Sequence, residues 1–475
     1  MADEIVSTSS MLKNVVISIL AAIAAYYYYK NNIYVQFKLE NVRSGLLAEE
    51  SWVNLSTQLP IAAGFGSCLD LKVNGVPLMN KLGLKPPKAP KYHQSMTTLQ
   101  DVAEIFAFYL EQGAAAERFI PMATFKKMVE AADKLNGALW TAGGNAPVMG
   151  ERFVKDGFTD VTVSAHASKK LASFFSSNLK FRNGFEGTDD VHLIMEFKVG
   201  ENWGKYKVTR ANRFIVHSDQ NNPYIKSLDG FQDVVREERP RLAIVSALQM
   251  LDNFPFEDGV REARMSALGD ALKQTPKSTL LHFEMASFSE AAMMKSVLTH
   301  VLPFVDSMGM NEQELPNVVS MFMHGKVIQV SDSNPRTATV LDDMREVYRY
   351  YQTHSERGLS RIHVHTLAFQ AILAKKDSEW KNNKGASARA SLTANRHVCN
   401  DSGVDVKKSR LIMDDSFSLS VHGGERIYFD EMSPVSCWDE EDYEICVAPV
   451  LVCTDVKQTA GGGDNISAAG LMAQI

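Results

Sequence analysis

Val447-Ala448-Pro449-Val450-Leu451-Val452-Cys453, followed by Thr459-Ala460-Gly461-Gly462-Gly463-Asp464-Asn465-Ile466-Ser467-Ala468-Ala469-Gly470-Leu471, is the stretch whose reading decides the fold. An apolar run of strand length enters a turn of three glycines, and an Ala/Leu-rich segment of helical character leaves it. The order is strand, tight turn, helix. Successive glycines expose backbone N–H groups at the positive end of a helix, where an anion such as phosphate is held without side-chain obstruction. Asp464, closing the turn, stands beside that anion site. A carboxylate there can take a proton from an attacking hydroxyl while the N–H groups stabilise charge on a transferred phosphoryl group. Taken alone, such a turn is more often an ordinary helix start.

Upstream of the turn, Phe417, Leu419 and Val421 alternate as an edge strand, and the polar residues 376–405 read as a surface loop. Arg361 to Leu367 alternates with period two, which puts His363 and His365 on one face. Two such histidines suggest zinc, yet no third ligand stands at a telling distance. From Leu242 onward strands alternate with helices, the signature of a parallel α/β sheet. Glu284 ends the strand 279–287 and Glu314 follows Gly309 in Asn311-Glu312-Gln313-Glu314-Leu315. Carboxylates at strand ends can hold Mg²⁺ through waters, although an exposed glutamate starting a helix is the commoner case.

Nearer the amino end, Leu193, Met195 and Phe197 alternate with His192, Ile194 and Glu196, and Arg213 closes the resulting hairpin. A guanidinium there offers bidentate anion binding, whereas most hairpin-end arginines are merely solvated. Gly144 and Asn145 lie in a second glycine-rich turn ahead of a helix, suited to a sugar hydroxyl that both donates and accepts. Glu117 follows Gly113-Ala114-Ala115-Ala116 and precedes Arg118, and a lone Glu beside Arg is usually a solvated pair. Thr98 caps a helix whose apolar face is Leu99, Val102, Ile105, Phe106 and Tyr109. Ile61 to Asp70 reads as a buried first strand ending in a carboxylate, more often a turn or cap residue than a functional one.

The chain has 475 residues, 45% hydrophobic and 22% charged, an ordinary globular balance that argues against disorder. A net charge of −6 supplies no basic field for nucleic acid, so no nucleic-acid partner is expected. Val15 to Tyr29 is apolar or amphipathic and flanked by Lys13 and Lys30. As a helix it reaches only ~22 Å against a hydrocarbon core of ~30 Å, which makes it a thin membrane anchor or a signal segment. Residues 1–45 are assigned to this segment and its linker, and residues 46–475 to the globular part. The five cysteines lack metal-ligand spacing. In an oxidising compartment Cys399 and Cys453 are the expected pair, because both flank the region carrying the glycine turn; all five reduced is the alternative.

Five strings, at 113–119, 143–150, 282–287, 309–315 and 446–471, occur in the order found in the ADP-dependent glucokinases, and the chain resembles the eukaryotic members of that ribokinase-like family from about residue 60 to 472. The resemblance implies a three-layer α/β/α sandwich with a smaller α+β lid, approximately residues 71–218, inserted after the first strand. It implies phosphorylation of D-glucose by ADP with Mg²⁺, giving AMP and glucose 6-phosphate, by a protein expected to be a monomer. Asp464 is then the base. Asp70, Glu117, Gly144 and Asn145 hold the sugar, Arg213, Gly461, Gly462 and Gly463 hold nucleotide phosphate, and Glu284, Glu314 and Asp464 serve the metal. His363 and His365 match a string that favours a structural or nucleotide-adjacent role over zinc.

Two places depart from the family pattern. Gly66 stands where an Asn is usual, removing one hydrogen bond to sugar. Gly462 replaces a larger apolar residue, and Gln458 a basic one. The rival readings are an ADP-dependent phosphofructokinase, which Glu117 opposes because a carboxylate repels a substrate phosphate, and a catalytically silent sugar or nucleotide sensor. The expected location is the endoplasmic reticulum membrane or lumen, or outside the cell if the amino-terminal segment is cleaved.

Overall fold

The computed structural model describes residues 2–182, 187–328 and 332–475. The apolar runs from Leu242 onward form the middle of a ten-stranded sheet. Across it, Arg361–His365, Ser307–Asn311, Leu280–Glu284, Leu242–Val245, Ile61–Gly64, Val161–Val163 and Leu179–Phe181 run parallel. Phe369–Lys375, Tyr443–Pro449 and Ser436–Glu440 extend it in antiparallel fashion. Both faces are covered, which is why these strands read as continuous apolar runs. Val245, Phe283, Met308 and Ile362 pack under the helices Leu228–Glu238, Val260–Gln274, Ala291–His300, Glu314–His324 and Thr337–His354. On the other face Ile61, Ala63, Ile244 and Val163 meet the helices Asn145–Lys155 and Gly462–Met472. The α/β/α order is as expected.

A second, five-stranded sheet forms the lid, in the order Ala116–Phe119, Asn212–His217, Val191–Phe197, Cys68–Asn74, Leu139–Gly143. Side chains alternate across a strand, so one face carries Leu71, Val73, Leu193, Met195, Phe197, Phe214 and Val216 into a core under the helix Leu99–Gln112. The opposite face turns Asp70, Lys72, His192, Ile194, Arg213 and Ile215 toward the large sheet, where they line cavities. The covering helix starts at a Thr98–Asp101 capping box and stops at Gly113 in the left-handed conformation.

Several sequence expectations need correction. The lid is not one block over 71–218: it begins at Cys68, and between its strands the chain returns to the large sheet through Asn145–Lys155, Val161–Val163 and Leu179–Phe181. Those strands are three residues each, too short to show a period. The polar stretch 376–405 is no surface loop, for Asn383–Cys399 is a largely buried helix. Two of its buried polar side chains bond to distant backbone, Ser391 Oγ donating to Pro449 O and Asn395 Nδ2 donating to Leu451 O. Of the expected edge strand, only Phe417 is in a strand, Ser416–Ser418, which pairs with Arg426–Tyr428 apart from the main sheet.

The boundary at residue 45 also moves. The helix Val35–Ser51 packs Leu39, Val42 and Leu46 against Ala388 and Leu392, and Glu50 accepts from Arg396 at 2.8 and 2.9 Å. It belongs to the globular part. Before it, the helix Ala2–Tyr28 continues through a π-helical turn, Tyr29–Tyr34. Val15, Ile17, Leu20, Ile23 and Tyr26 to Tyr29 are exposed, and among the described residues no helix is long and apolar enough to cross a membrane. Cys399 and Cys453 are bonded as expected. A second disulfide, Cys437–Cys446, joins directly opposed residues of the edge pair, and Cys68 is free.

Candidate active site

The helix Gly462–Met472 begins after Gly461, whose φ of +70° is left-handed and favours glycine. Asp464 sits in its first turn and accepts from Asn145 Nδ2 at 2.8 Å. Burial and the nearby Glu284 push the Asp464 carboxyl up to about 7, against the pull of Asn145, Arg213 and His365. That range suits a general base at neutral pH. At Gly463 a Cβ would lie 3.0 Å from the His365 ring, whereas at Gly462 it would meet only His397 at 3.8 Å. The departure at Gly462 therefore leaves ordinary contact space.

Two side chains hold this turn, His397, which the sequence did not single out, and Gln458, noted there only as a departure from the family pattern. His397 Nε2 donates to Ala460 O at 2.8 Å, and Gln458 Nε2 donates to His397 O at 3.0 Å. Burial pushes His397 down to about 4, so at neutral pH the ring is uncharged and its single N–H serves the turn. Cys399, two residues on, ties the same helix end to Cys453. Residue 397 fell in the segment read as loop, and so it gave no sequence signal.

On one side of Asp464, Asp70, Glu117, Gly144 and Asn145 line a cavity of about 420 Å³. Arg118 makes no ion pair with the Glu117 carboxylate: its Nη1 donates to Glu117 O at 2.7 Å and its Nη2 to Tyr109 Oη on the opposite face of the strand. Glu117 instead faces His192 Nδ1 at 3.0 Å and accepts from Gln249 Nε2 at 3.2 Å. The other His192 nitrogen lies 3.0 Å from Asp219, which also faces His217 at 3.3 Å. Burial works against the charge on His192, but Asp219 prevails and holds the ring well above the ordinary histidine range. His192 is thus an imidazolium donating to two carboxylates, and despite burial it holds Glu117 below the usual range. Its position on the Asp70 face of the lid strands was a legible signal. Burial raises Asp70, and Gly143 leaves it room, since a Cβ there would lie 2.2 Å from Asp70 Oδ1.

On the other side, Arg213, Gly461, Gly462, Gly463, Glu284 and Glu314 line a cavity of about 470 Å³. Arg213 Nε is buried without a partner, a group suited to an incoming anion. Glu284 faces His282 Nε2 at 3.0 Å, accepts from Ser467 Oγ at 2.9 Å and lies 3.6 Å from His365 Nε2. Burial opposes its charge, but these partners hold it down at about 2. Glu314 accepts from Asn311 N and Nδ2, both at 2.9 Å, closing a helix-start box in which burial pushes the carboxyl up to about 7.

The carboxylates of Glu284, Glu314 and Asp464 line one cavity but do not converge as direct metal ligands. Among the described residues the groups close enough for that are Cys68/Asp70/His192, His192/His217/Asp219 and Cys437/Glu444/Cys446, the last ruled out by its disulfide. His363 bonds Gln370 Oε1 at 3.1 Å and joins no such group, in keeping with a structural role. Gly66, at φ +71°, would bring a Cβ to 2.2 Å from Ala247 Cβ, so no side chain fits there.

A covered parallel sheet, a sheet-built lid facing it, and a glycine turn whose acid stands between two cavities are the parts of a sugar kinase. Residues 59–473 match the conserved region of the ADP-specific phosphofructokinases and glucokinases, and the chain belongs to that family. An ADP-dependent glucokinase of Bos taurus is 31% identical over 419 residues, 86% of this chain and 83% of the relative. A probable ADP-dependent glucokinase of Caenorhabditis elegans is 27% identical over 425 residues, 86% of this chain and 84% of the relative. The solved structure of an ADP-dependent kinase with fructose 6-phosphate and ADPβS shares the fold at a TM-score of 0.63, with 17% identity over 92% of this chain and 97% of the other.

Proposed function

We propose that the protein transfers the terminal phosphoryl group of ADP to the 6-hydroxyl of D-glucose. Asp464 takes the hydroxyl proton, the sugar oxygen bonds to phosphorus, and the bond to the AMP oxygen breaks, so AMP leaves. The observation that carries this reading is that Asp464 lines both cavities, as do Glu117, Asn145, Arg213 and Gly461, with Asp70 and Gly144 in one alone and Gly462, Gly463, Glu284 and Glu314 in the other alone. The glucokinase names of the bovine and nematode relatives support donor and acceptor. Glu117 favours glucose over an acceptor that already bears a phosphate, which its charge would repel.

Gly461 to Gly463 and Arg213 offset charge on the moving phosphoryl group. Mg²⁺ fits as an ion held through waters, because both oxygens of Glu314 are already bonded and Glu284 is engaged by His282 and Ser467. When bound, it neutralises phosphate charge. Arg210 of the lid donates to Glu312 and to Ser333 O of the large domain, both at 2.7 Å, and this bridge supports a closed state that keeps water from ADP. The deciding assay is glucose 6-phosphate formation with ADP or ATP in parallel. Turnover is expected with ADP and glucose and lost with EDTA; a chain that binds glucose but turns over with neither donor is a sensor.

The exposed apolar residues between Val15 and Tyr29 and the two disulfides support association with lipid and an oxidising compartment, the endoplasmic reticulum membrane or lumen or, if the amino-terminal segment is cleaved, the outside of the cell. Removing residues 1–34 is expected to abolish flotation with phosphatidylcholine vesicles and to leave turnover unchanged, since the packed helix begins at Val35. Equal flotation of both forms would refute the lipid contact.

A further inference from the structure

Gln249 sits where both cavities meet. It is 8% exposed, on the short helix Leu248–Leu251. Its Nε2 donates to Glu117 Oε2 at 3.2 Å and to Asn145 Oδ1 at 3.3 Å, and Asn145 in turn donates to Asp464. Glu117 only accepts, so the amide orientation is fixed with Oε1 on the other side. That Oε1 is buried and has no donor. A buried acceptor without a partner is costly to keep, and a site built to bond hydroxyls is where such a group has a use.

The backbone explains how this amide reaches the site. The turn ahead of Gln249 is Ala247, at φ +63°, and it lies against Gly66 so closely that a Cβ on Gly66 would be 2.2 Å from Ala247 Cβ. The close approach excludes a side-chain amide from position 66. It also brings the next turn forward, so that an amide enters the same cavity from position 249.

We propose that Gln249 is a sugar-binding residue: its Oε1 accepts from one hydroxyl of the acceptor, while its Nε2 holds Glu117 and Asn145 in place around the others. This rests on the sugar reading of the Asp70–Glu117 cavity. Glucose carries several donors of equal chemistry, and a single monodeoxy analogue identifies the one Gln249 meets.

Calorimetric titration of full-length protein with glucose and its 1-, 2-, 3- and 4-deoxy analogues tests the proposal without requiring turnover. Gln249→Ala is expected to weaken glucose about tenfold and to leave the ADP Kd within twofold, one hydrogen bond being lost. One analogue is expected to bind wild type about tenfold more weakly than glucose, and to bind Gln249→Ala no more weakly than glucose does. Glucose binding within twofold of wild type in Gln249→Ala, or equal losses for every analogue in both proteins, would overturn the role of Gln249 and leave the kinase reading standing. Glucose bound normally by wild type with no turnover would overturn the kinase reading and not the role of Gln249. Gln249→Glu, which keeps the shape and an acceptor but loses the donor to Glu117, separates the two ends of the amide: its glucose Kd should exceed that of wild type and its deoxy pattern should persist.

Discussion

Asp464→Asn should lower kcat by roughly 10²–10⁴-fold, the usual contribution of a positioned general base, while glucose binding stays within a few-fold. The substitution preserves the local geometry, because the Asn carbonyl can still accept from Asn145 Nδ2. Only the proton acceptor is removed. The pH dependence separates this from a structural defect. In the free enzyme burial and Glu284 push Asp464 up to about 7, so the carboxyl is protonated and idle below that pH and ionised above it. Wild-type kcat/KM should therefore rise with pH to a plateau, with its midpoint near 7, and the residual rate of Asp464→Asn should lack that limb.

Stability should move in the opposite sense. A folded-state value above the unfolded one means that ionisation disfavours the folded protein; this penalty is full above about pH 7, shrinks as pH falls and is gone only below the ordinary value of 3.8. The variant should therefore melt higher than wild type at pH 8, by a margin that narrows as pH falls toward 5. A rate for Asp464→Asn within tenfold of wild type would remove Asp464 from the chemistry.

The parts of the site that sequence made legible are those in which the backbone itself carries the function. Gly461 to Gly463 and Asp464 are readable because a turn that cradles an anion needs glycine and then a helix. The lid strands are readable because Leu193, Met195 and Phe197 alternate with His192 and Ile194, so the face bearing Asp70 follows from period two. The unreadable parts depend on register between distant segments. Asn383–Cys399 looks like a loop because the groups that satisfy Ser391 and Asn395 are carbonyls near residue 450, which no local pattern announces. Cys437–Cys446 follows from strand pairing and not from spacing. The return of the chain to the large sheet at 161–181 is hidden by strands too short to have a period, and it is the reason the lid is discontinuous in sequence.

That discontinuity sets up the second large effect. The lid strand Cys68–Asn74 and the helix Asn145–Lys155 belong to different layers, yet both deliver groups to the cavity proposed for the sugar, Asp70 and Asn145. They are brought together at Gly144, whose φ is +93° and whose Cβ would lie 2.4 Å from Ser67 Cα and 2.5 Å from Gly66 O. The obstructing atoms are backbone and cannot rotate away, so Gly144→Ala must separate the two segments. Gly137 is the control, with a φ of +85° and nothing within 4 Å of its Cβ. Gly137→Ala carries the conformational penalty alone, ~1–2 kcal/mol. Gly144→Ala adds the overlap, and the total should exceed ~3 kcal/mol in denaturant unfolding. In whatever fraction folds, the glucose Kd should rise at least tenfold, because Asp70 and Asn145 no longer share one cavity, while Gly137→Ala binds as wild type does. Equal costs for the two substitutions would mean that the chain relaxes around Gly144 and that the contact does not fix the sugar site.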